Sequence, residues 1–213
     1  MKTRKIRTAL YNVLPGEKAR ALMAPRPKYI EGIEGVHPCP PVNSAILALI
    51  VPFENELALP LIKRVNRGKY HGGQIAFPGG KMEKEDADAL QTALRECHEE
   101  IGVPEEKVSI LGVLSDIYIP LSNFNITPIV GTTLQLPDFI LSQDEVEKVI
   151  LVKLRDLFDD RNKTTHSFVR HDHKIIAPGY KIGENFIWGA TAMIIAELEQ
   201  LMKTNTFNHL GKL

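Results

Sequence analysis

The octapeptide Arg95-Glu96-Cys97-His98-Glu99-Glu100-Ile101-Gly102 carries three carboxylates within five positions. On a helix Glu96 and Glu100 lie within about 40° of each other, with Glu99 about 60° to the other side of Glu96, so one narrow face presents all three. Like charges at these spacings destabilise a helix by a few tenths of a kcal/mol per pair, and near the C-terminus they also oppose the macrodipole. A hard divalent cation offsets that repulsion, because Mg²⁺ takes a few carboxylates plus water and substrate phosphates in place of a closed protein cage. For the helix alone, a solvated acidic face is the plainer alternative. The preceding loop changes the balance: Gly72, Gly73, Gly79 and Gly80 let backbone come close to a ligand just ahead of the carboxylates. Loop and helix together outline a site for a diphosphate and a metal. Arg95, four residues before Glu99, is expected to pair with Glu99 or Asp86 and orient the helix; binding phosphate is its lesser role.

The elements that must position these groups follow from periodicity. Leu90, Leu94, Cys97 and Ile101 form an apolar stripe at helical spacing, predicting a helix from Asp86 to Ile101 capped by Gly102. Cys97 needs no more than a core role. The apolar run Ser44 to Pro52 suits a strand buried on both faces, and Leu57 to Val65 follows across Glu-Asn-Glu as the second half of a hairpin. Strands are expected at Val108 to Tyr118, Ile126 to Leu134 and Glu147 to Leu154, then a short helix to Phe158. A strand pair is predicted between Ser167 and Ile187, and a terminal helix at Ala190 to Met202. Strands outnumber helices, which indicates a layered α/β or α+β domain. Trp188 reads as core. Residues 1–43, with a helical stretch near Glu17 to Met23 and then many prolines, are expected to be an arm wrapped on the domain or used in a homodimer contact. Residues 44–203 form the domain and 204–213 a tail.

Composition narrows the partners. Twenty-six Lys plus Arg balance 26 Asp plus Glu, so no basic surplus drives binding to nucleic acid or anionic lipid, and a small-molecule partner is favoured. Cys39 and Cys97 build no disulfide framework. The basic N-terminus lacks an apolar stretch of signal-peptide length, and a cytoplasmic location is the expectation. Charge is nonetheless segregated: Lys63, Arg64, Arg67, Lys69 and His71 precede the glycines, and Asp86 to Glu100 follow them.

Gly80, five residues, Asp86, and then Arg95-Glu-Cys-His-Glu-Glu-Ile-Gly-Val103 resemble the Nudix box, G-x5-E-x7-R-E-U-x-E-E-x-G-U. Asp86 stands where that pattern has Glu, and eight residues separate it from Arg95 where the pattern has seven. Upstream, Leu61-Ile-Lys-Arg64 and the loop ending Gly-Gly-Gln-Ile-Ala-Phe77-Pro-Gly-Gly80 are similar to the extended signature of the coenzyme A diphosphatase branch. Both departures are familiar in that branch. The resemblance covers roughly residues 15 to 203. It implies a Nudix fold, a mixed sheet sandwiched between helices, with Glu96 and Glu100 as principal Mg²⁺ or Mn²⁺ ligands helped by Glu99 and the Gly79 carbonyl. The reaction implied is hydrolysis of the diphosphate of coenzyme A or its thioesters, with Arg64, Arg67, His71 and Gly80 on the substrate and Arg95 and Asp86 structural. Glu145 is the candidate general base, and Glu99 is the alternative. ADP-ribose, NADH or dinucleoside polyphosphates are rival substrates for the same box. A non-catalytic ligand-sensing module is disfavoured, since all three helix glutamates are present.

Overall fold

The computed structural model describes residues 2–26, 39–66, 73–170 and 173–204. Two short helices, α1 (Lys2–Leu10) and α2 (Gly16–Arg20), precede strands β1 (Val42–Phe53), β2 (Glu56–Arg64), β3 (Ile75–Ala76) and β4 (Gly79–Lys81). Helix α3 (Ala89–Ile101) leads to β5 (Ser109–Val113), β6 (Ile117–Ile119), β7 (Phe124–Thr132) and β8 (Val146–Lys153). The chain continues through α4 (Leu154–Leu157), β9 (Lys163–Arg170), β10 (His173–Ile182), β11 (Asn185–Trp188) and α5 (Gly189–Thr204). Strands β1 to β8 make one mixed sheet, in which β1 and β7 run parallel and the other pairs are antiparallel. Strands β9 to β11 make a separate antiparallel sheet.

β1 is the spine. Ala45, Leu47, Leu49 and Val51 project towards the α3 side, while Ala48 and Ile50 project into the opposite core with α5. Alternation with both faces apolar is what a continuous hydrophobic strand requires when helices cover the sheet on both sides. The hairpin to β2 turns at Glu54 and Asn55, with φ of 46° and 61°. Positive φ at both central residues is the turn geometry that matches strand twist. Along its length β1 pairs with β4 at Ser44 to Ile46 and with β2 at Val51 to Phe53, so these two partners diverge from a common strand.

Residues 2–26 of the N-terminal extension join this core. Ile6, Ala9, Leu10 and Met23 are buried in the cluster that contains β1 and α5. Arg20 forms an ion pair at 3.3 Å with Glu197 on α5, a glutamate buried completely and also accepting from the N–H groups of Gly16 and Ser115. Arg20 donates as well to the carbonyls of Ser115 and Asp116. This polar knot explains one difference from the sequence reading. The single strand expected from Val108 to Tyr118 is interrupted, because Ser115 and Asp116 turn their backbone groups to Arg20 and Glu197 and leave the ladder. A second difference is the strand pair at 167–187, which is three strands beginning at Lys163. Trp188, read as core, is only partly buried and meets Phe168 edge to face at 4.9 Å. The tail 205–213, and Arg67, Lys69 and His71, lie outside the described residues. Among the described residues no helix is long and apolar enough to cross a membrane.

Candidate active site

α3 begins at Ala89, three residues later than periodicity suggested, because Asp88 caps it by accepting from the Gln91 N–H at 2.9 Å. The helix ends at Gly102, whose φ of 72° provides the left-handed C-cap. Its apolar stripe, with Leu94, Cys97 and Ile101 buried, faces β1 and leaves the glutamates turned to the strand–loop edge. Burial in this apolar layer pushes the Cys97 thiol up to about 12, which keeps it protonated and inert.

Asp86 and Arg95 form the most saturated contact of the region. Arg95 donates Nε and Nη2 to the two Asp86 oxygens at 3.0 Å each, Nη1 to Glu99 at 2.8 Å and to Glu96 at 3.1 Å, and Nη2 to the Lys81 carbonyl at 3.1 Å. Asp86 accepts further from the Glu83 N–H and the Thr92 hydroxyl. The guanidinium beside it holds the Asp86 carboxyl well below the usual carboxylate range, and the same pairing raises Arg95. Thr92 and the Lys81 carbonyl were not singled out by sequence reasoning. Thr92 is one turn before Glu96, and no motif marks it.

β2 ends in a bulge between Lys63 and Arg64. The Arg64 N–H donates to the Gln74 carbonyl and its own carbonyl accepts from Gly73, both at 3.0 Å, so its backbone is clamped. The chain then returns through β3 and Pro78 into β4, beside the start of β1. Gly79 has φ of 152°, and a Cβ there would stand 2.6 Å from the Ile46 Cα and still closer to the Ala45 carbonyl oxygen. Only glycine fits, and the fit brings the Gly79 N–H to 2.8 Å from Glu100 Oε2. Glu100 is fully buried. Arg64 Nη1 stands 3.1 Å from its other oxygen, Oε1, but off the direction a hydrogen bond needs, so Oε1 has a charge nearby and no hydrogen donated to it. At Gly80 a Cβ would run into the Glu96 carboxylate.

The carboxylates feel one another. Burial raises the Glu100 pKa to about 7 against the opposing pull of Arg64 and Gly79, and the charges of Glu96 and Glu145 add to the rise. Glu96 is raised chiefly by burial, with Arg95 opposing and Glu99 and Glu145 contributing repulsion. Glu145 therefore shares the electrostatic neighbourhood of both helix glutamates. It sits exposed in the turn before β8, its carbonyl accepting from the Val65 N–H next to Arg64. Glu99 is half exposed and bonded to Arg95. Glu96, Glu99, Glu100, Arg64, Gly79, Gly80, Asp86 and Arg95 are thus brought together, with Glu145 at the margin.

Among the described residues no three His, Cys, Asp or Glu side chains close into a ready-made cage. The donor set still fits a hard divalent cation. It offers a buried carboxylate oxygen with no hydrogen donated to it, a second carboxylate seated against a residue without a side chain, and mutual repulsion to be neutralised. Mg²⁺ and Mn²⁺ complete such partial sets with water and phosphate oxygens. Gly80→Ala tests the fit. The atoms in its way are the far end of a flexible side chain, so the fold is expected to survive with a melting temperature near wild type. The displaced Glu96 is expected to weaken Mn²⁺ binding by about tenfold, measured calorimetrically. Gly79→Ala meets backbone instead and should lower the melting temperature.

Residues 43–171 match the NUDIX domain family, and the chain belongs to that family. A Nudix hydrolase named NudL from Enterobacter sp. (strain 638), itself uncharacterized, is 34% identical over 161 residues, 74% of this chain and 82% of the relative. NudL of Pectobacterium atrosepticum, also uncharacterized, is 35% identical over 158 residues, 73% and 80% of the two chains. Among solved structures, the MutT protein from Methanosarcina mazei Go1 aligns with a TM-score of 0.52 at 16% identity, covering 79% of this chain and 98% of that one, a likeness of fold. The mixed sheet with helices on both faces is accordingly the Nudix fold, and the protein is a Nudix hydrolase.

Proposed function

We infer that this protein hydrolyses the diphosphate of coenzyme A or its thioesters, giving 3′,5′-ADP and 4′-phosphopantetheine or its acylated form. The supporting observation is that the stretch Leu61–Lys81, the part of the chain resembling the coenzyme A diphosphatase signature, delivers Arg64, Gly79 and Gly80 onto the carboxylates of α3. Glu96 and Glu100 hold Mg²⁺ or Mn²⁺, with Glu99 and the Gly79 carbonyl assisting. The bound cation supplies charge neutralisation of the diphosphate and a more acidic water. Arg95 and Asp86 keep α3 in register with β4. Glu145 accepts the proton of the attacking water as its oxygen bonds to phosphorus, and the bridging P–O bond breaks to release the second phosphate. Glu99 is the alternative acceptor. Arg64, Arg67 and His71 supply donors for the phosphates, the 3′-phosphate included. A homodimer and a cytoplasmic location accompany this reading.

Incubation of the protein with coenzyme A and Mg²⁺, with products separated by chromatography, tests it. The expected result is metal-dependent formation of 3′,5′-ADP in equal amount to 4′-phosphopantetheine. Turnover of ADP-ribose, NADH or dinucleoside polyphosphates with no product from coenzyme A overturns the substrate while leaving the pyrophosphatase.

A further inference from the structure

Among the described residues two arginines, Arg95 and Arg64, reach the carboxylate cluster, and they are held very differently. Arg95 is locked by five hydrogen bonds to Asp86, Glu96, Glu99 and Lys81. Arg64 touches the cluster at one point, the 3.1 Å ion pair with Glu100, and makes no side-chain hydrogen bond among the described residues. Its backbone is clamped on both sides by Gly73 and Gln74. Its side chain is 34% exposed, while that of Glu100 is fully buried. Glu100 does not depend on Arg64 for its placement, because the Gly79 N–H holds the other oxygen. The pair is therefore a charge contact between a fixed acid and a cation free to leave along a long flexible stem.

We propose that Arg64 is an exchangeable counter-charge: it neutralises Glu100 while no metal is bound, gives that oxygen up when a divalent cation binds, and carries its guanidinium to a phosphate oxygen of the substrate. No covalent step is involved. Two cations cannot share the one undonated oxygen of Glu100 in a low-dielectric site without strong repulsion, so occupancy by one excludes the other. The guanidinium so released has its planar donors available, the arrangement that recognises phosphate in two-point fashion. Substrate and cation then bind cooperatively, since the cation frees the group that takes the phosphate. The inference rests on the metal-dependent reading above and adds to it a residue that couples the two ligands.

The test is calorimetric titration of Mn²⁺, without substrate, into wild type, Arg64→Gln, Arg64→Lys and Glu100→Gln. Exchange predicts that Arg64→Gln binds Mn²⁺ roughly tenfold more tightly than wild type, the scale expected for removing one competing charge from a partly buried site. Arg64→Lys, which keeps a charge, should stay near wild type. At saturating Mn²⁺, Arg64→Gln should show a raised KM for coenzyme A. Should Arg64→Gln fold poorly without metal, Arg64→Met, which removes the charge and keeps an unbranched apolar stem, should show the same tighter binding, and equal or weaker Mn²⁺ binding by it overturns the exchange. Equal or weaker Mn²⁺ binding by a folded Arg64→Gln overturns the exchange and leaves the metal site standing. Equal binding by wild type and Glu100→Gln removes the metal reading, and the exchange with it.

Discussion

Glu100→Gln is expected to lower turnover by about a thousandfold or more while making the metal-free protein more stable above neutral pH. The first effect follows from the proposed role of Glu100 as a metal-holding carboxylate, since several kcal/mol of transition-state stabilisation would be lost with the cation, at tenfold per 1.36 kcal/mol. The second follows from burial. The Glu100 pKa rises from 4.5 unfolded to about 7 folded. Between those values the folded form keeps a proton that the unfolded form has lost. The associated stability is present below 4.5 and disappears as pH rises through 7, a change of roughly 3 kcal/mol. Gln keeps an acceptor for the Gly79 N–H but never ionises, so it escapes this loss. It also places an amide beside Arg64, so below pH 5 it is the less stable protein. Melting temperatures in EDTA at pH 5 and pH 8 should therefore cross between wild type and variant, and added Mn²⁺ should remove the wild-type deficit at pH 8. A variant that retains wild-type turnover contradicts the assignment of Glu100, and parallel melting curves contradict its buried ionisation.

That experiment depends on neighbours only partly legible in the chain. The carboxylate face of α3 was readable because helical periodicity is local: Leu94, Cys97 and Ile101 set the buried side, and the glutamates follow from 100° per residue. The two-sided burial of β1 was readable from an unbroken apolar run. The glycines upstream announced a close approach, but not which atoms approach. That Gly79 serves Glu100 through its N–H, and that Gly80 faces Glu96, depends on β4 pairing with β1 at Ser44 to Ile46, a contact across more than 30 residues that leaves no periodic trace. Arg64 against Glu100 is of the same kind. The buried Glu197 was hidden for a different reason. A glutamate in an amphipathic helix reads as surface until its partners, Arg20, Gly16 and Ser115, are known, and these come from two distant segments. The helix start at Ala89, set three residues late, records a division of roles: Asp88 caps the helix with its side chain, and Asp86, outside the helix, turns its carboxylate back onto Thr92 and Arg95 of α3.

Asp86→Ala should cost roughly 3 kcal/mol of folding stability, the lower end of what breaking a buried ion pair costs. The lower end applies because the Arg95 side chain keeps 22% exposure and can recruit water, whereas that of Asp86 is only 2% exposed. The loss has several parts. Two hydrogen bonds from Arg95 vanish, the Thr92 hydroxyl falls back on its weaker bond to the Asp88 carbonyl, and the Glu83 N–H loses its acceptor. At about 2 to 4 °C per kcal/mol for a chain of this size, the melting temperature should fall by around 10 °C. Asp86→Asn should recover part of that, since it still accepts from Thr92 and Glu83. Because the carboxyl is held below its ordinary 3.8, its stabilisation is complete above that value and disappears as pH falls below it. The gap between wild type and Asp86→Ala should therefore narrow in acid, opposite to the behaviour of Glu100, whose variant gains on wild type as pH rises. Turnover should suffer less than in Glu100→Gln, because Arg95 retains Glu96, Glu99 and the Lys81 carbonyl and so still ties α3 to β4. Asp86 then belongs to the frame of the site and Glu100 to its chemistry. An Asp86→Ala protein with wild-type stability and abolished turnover would reverse those assignments.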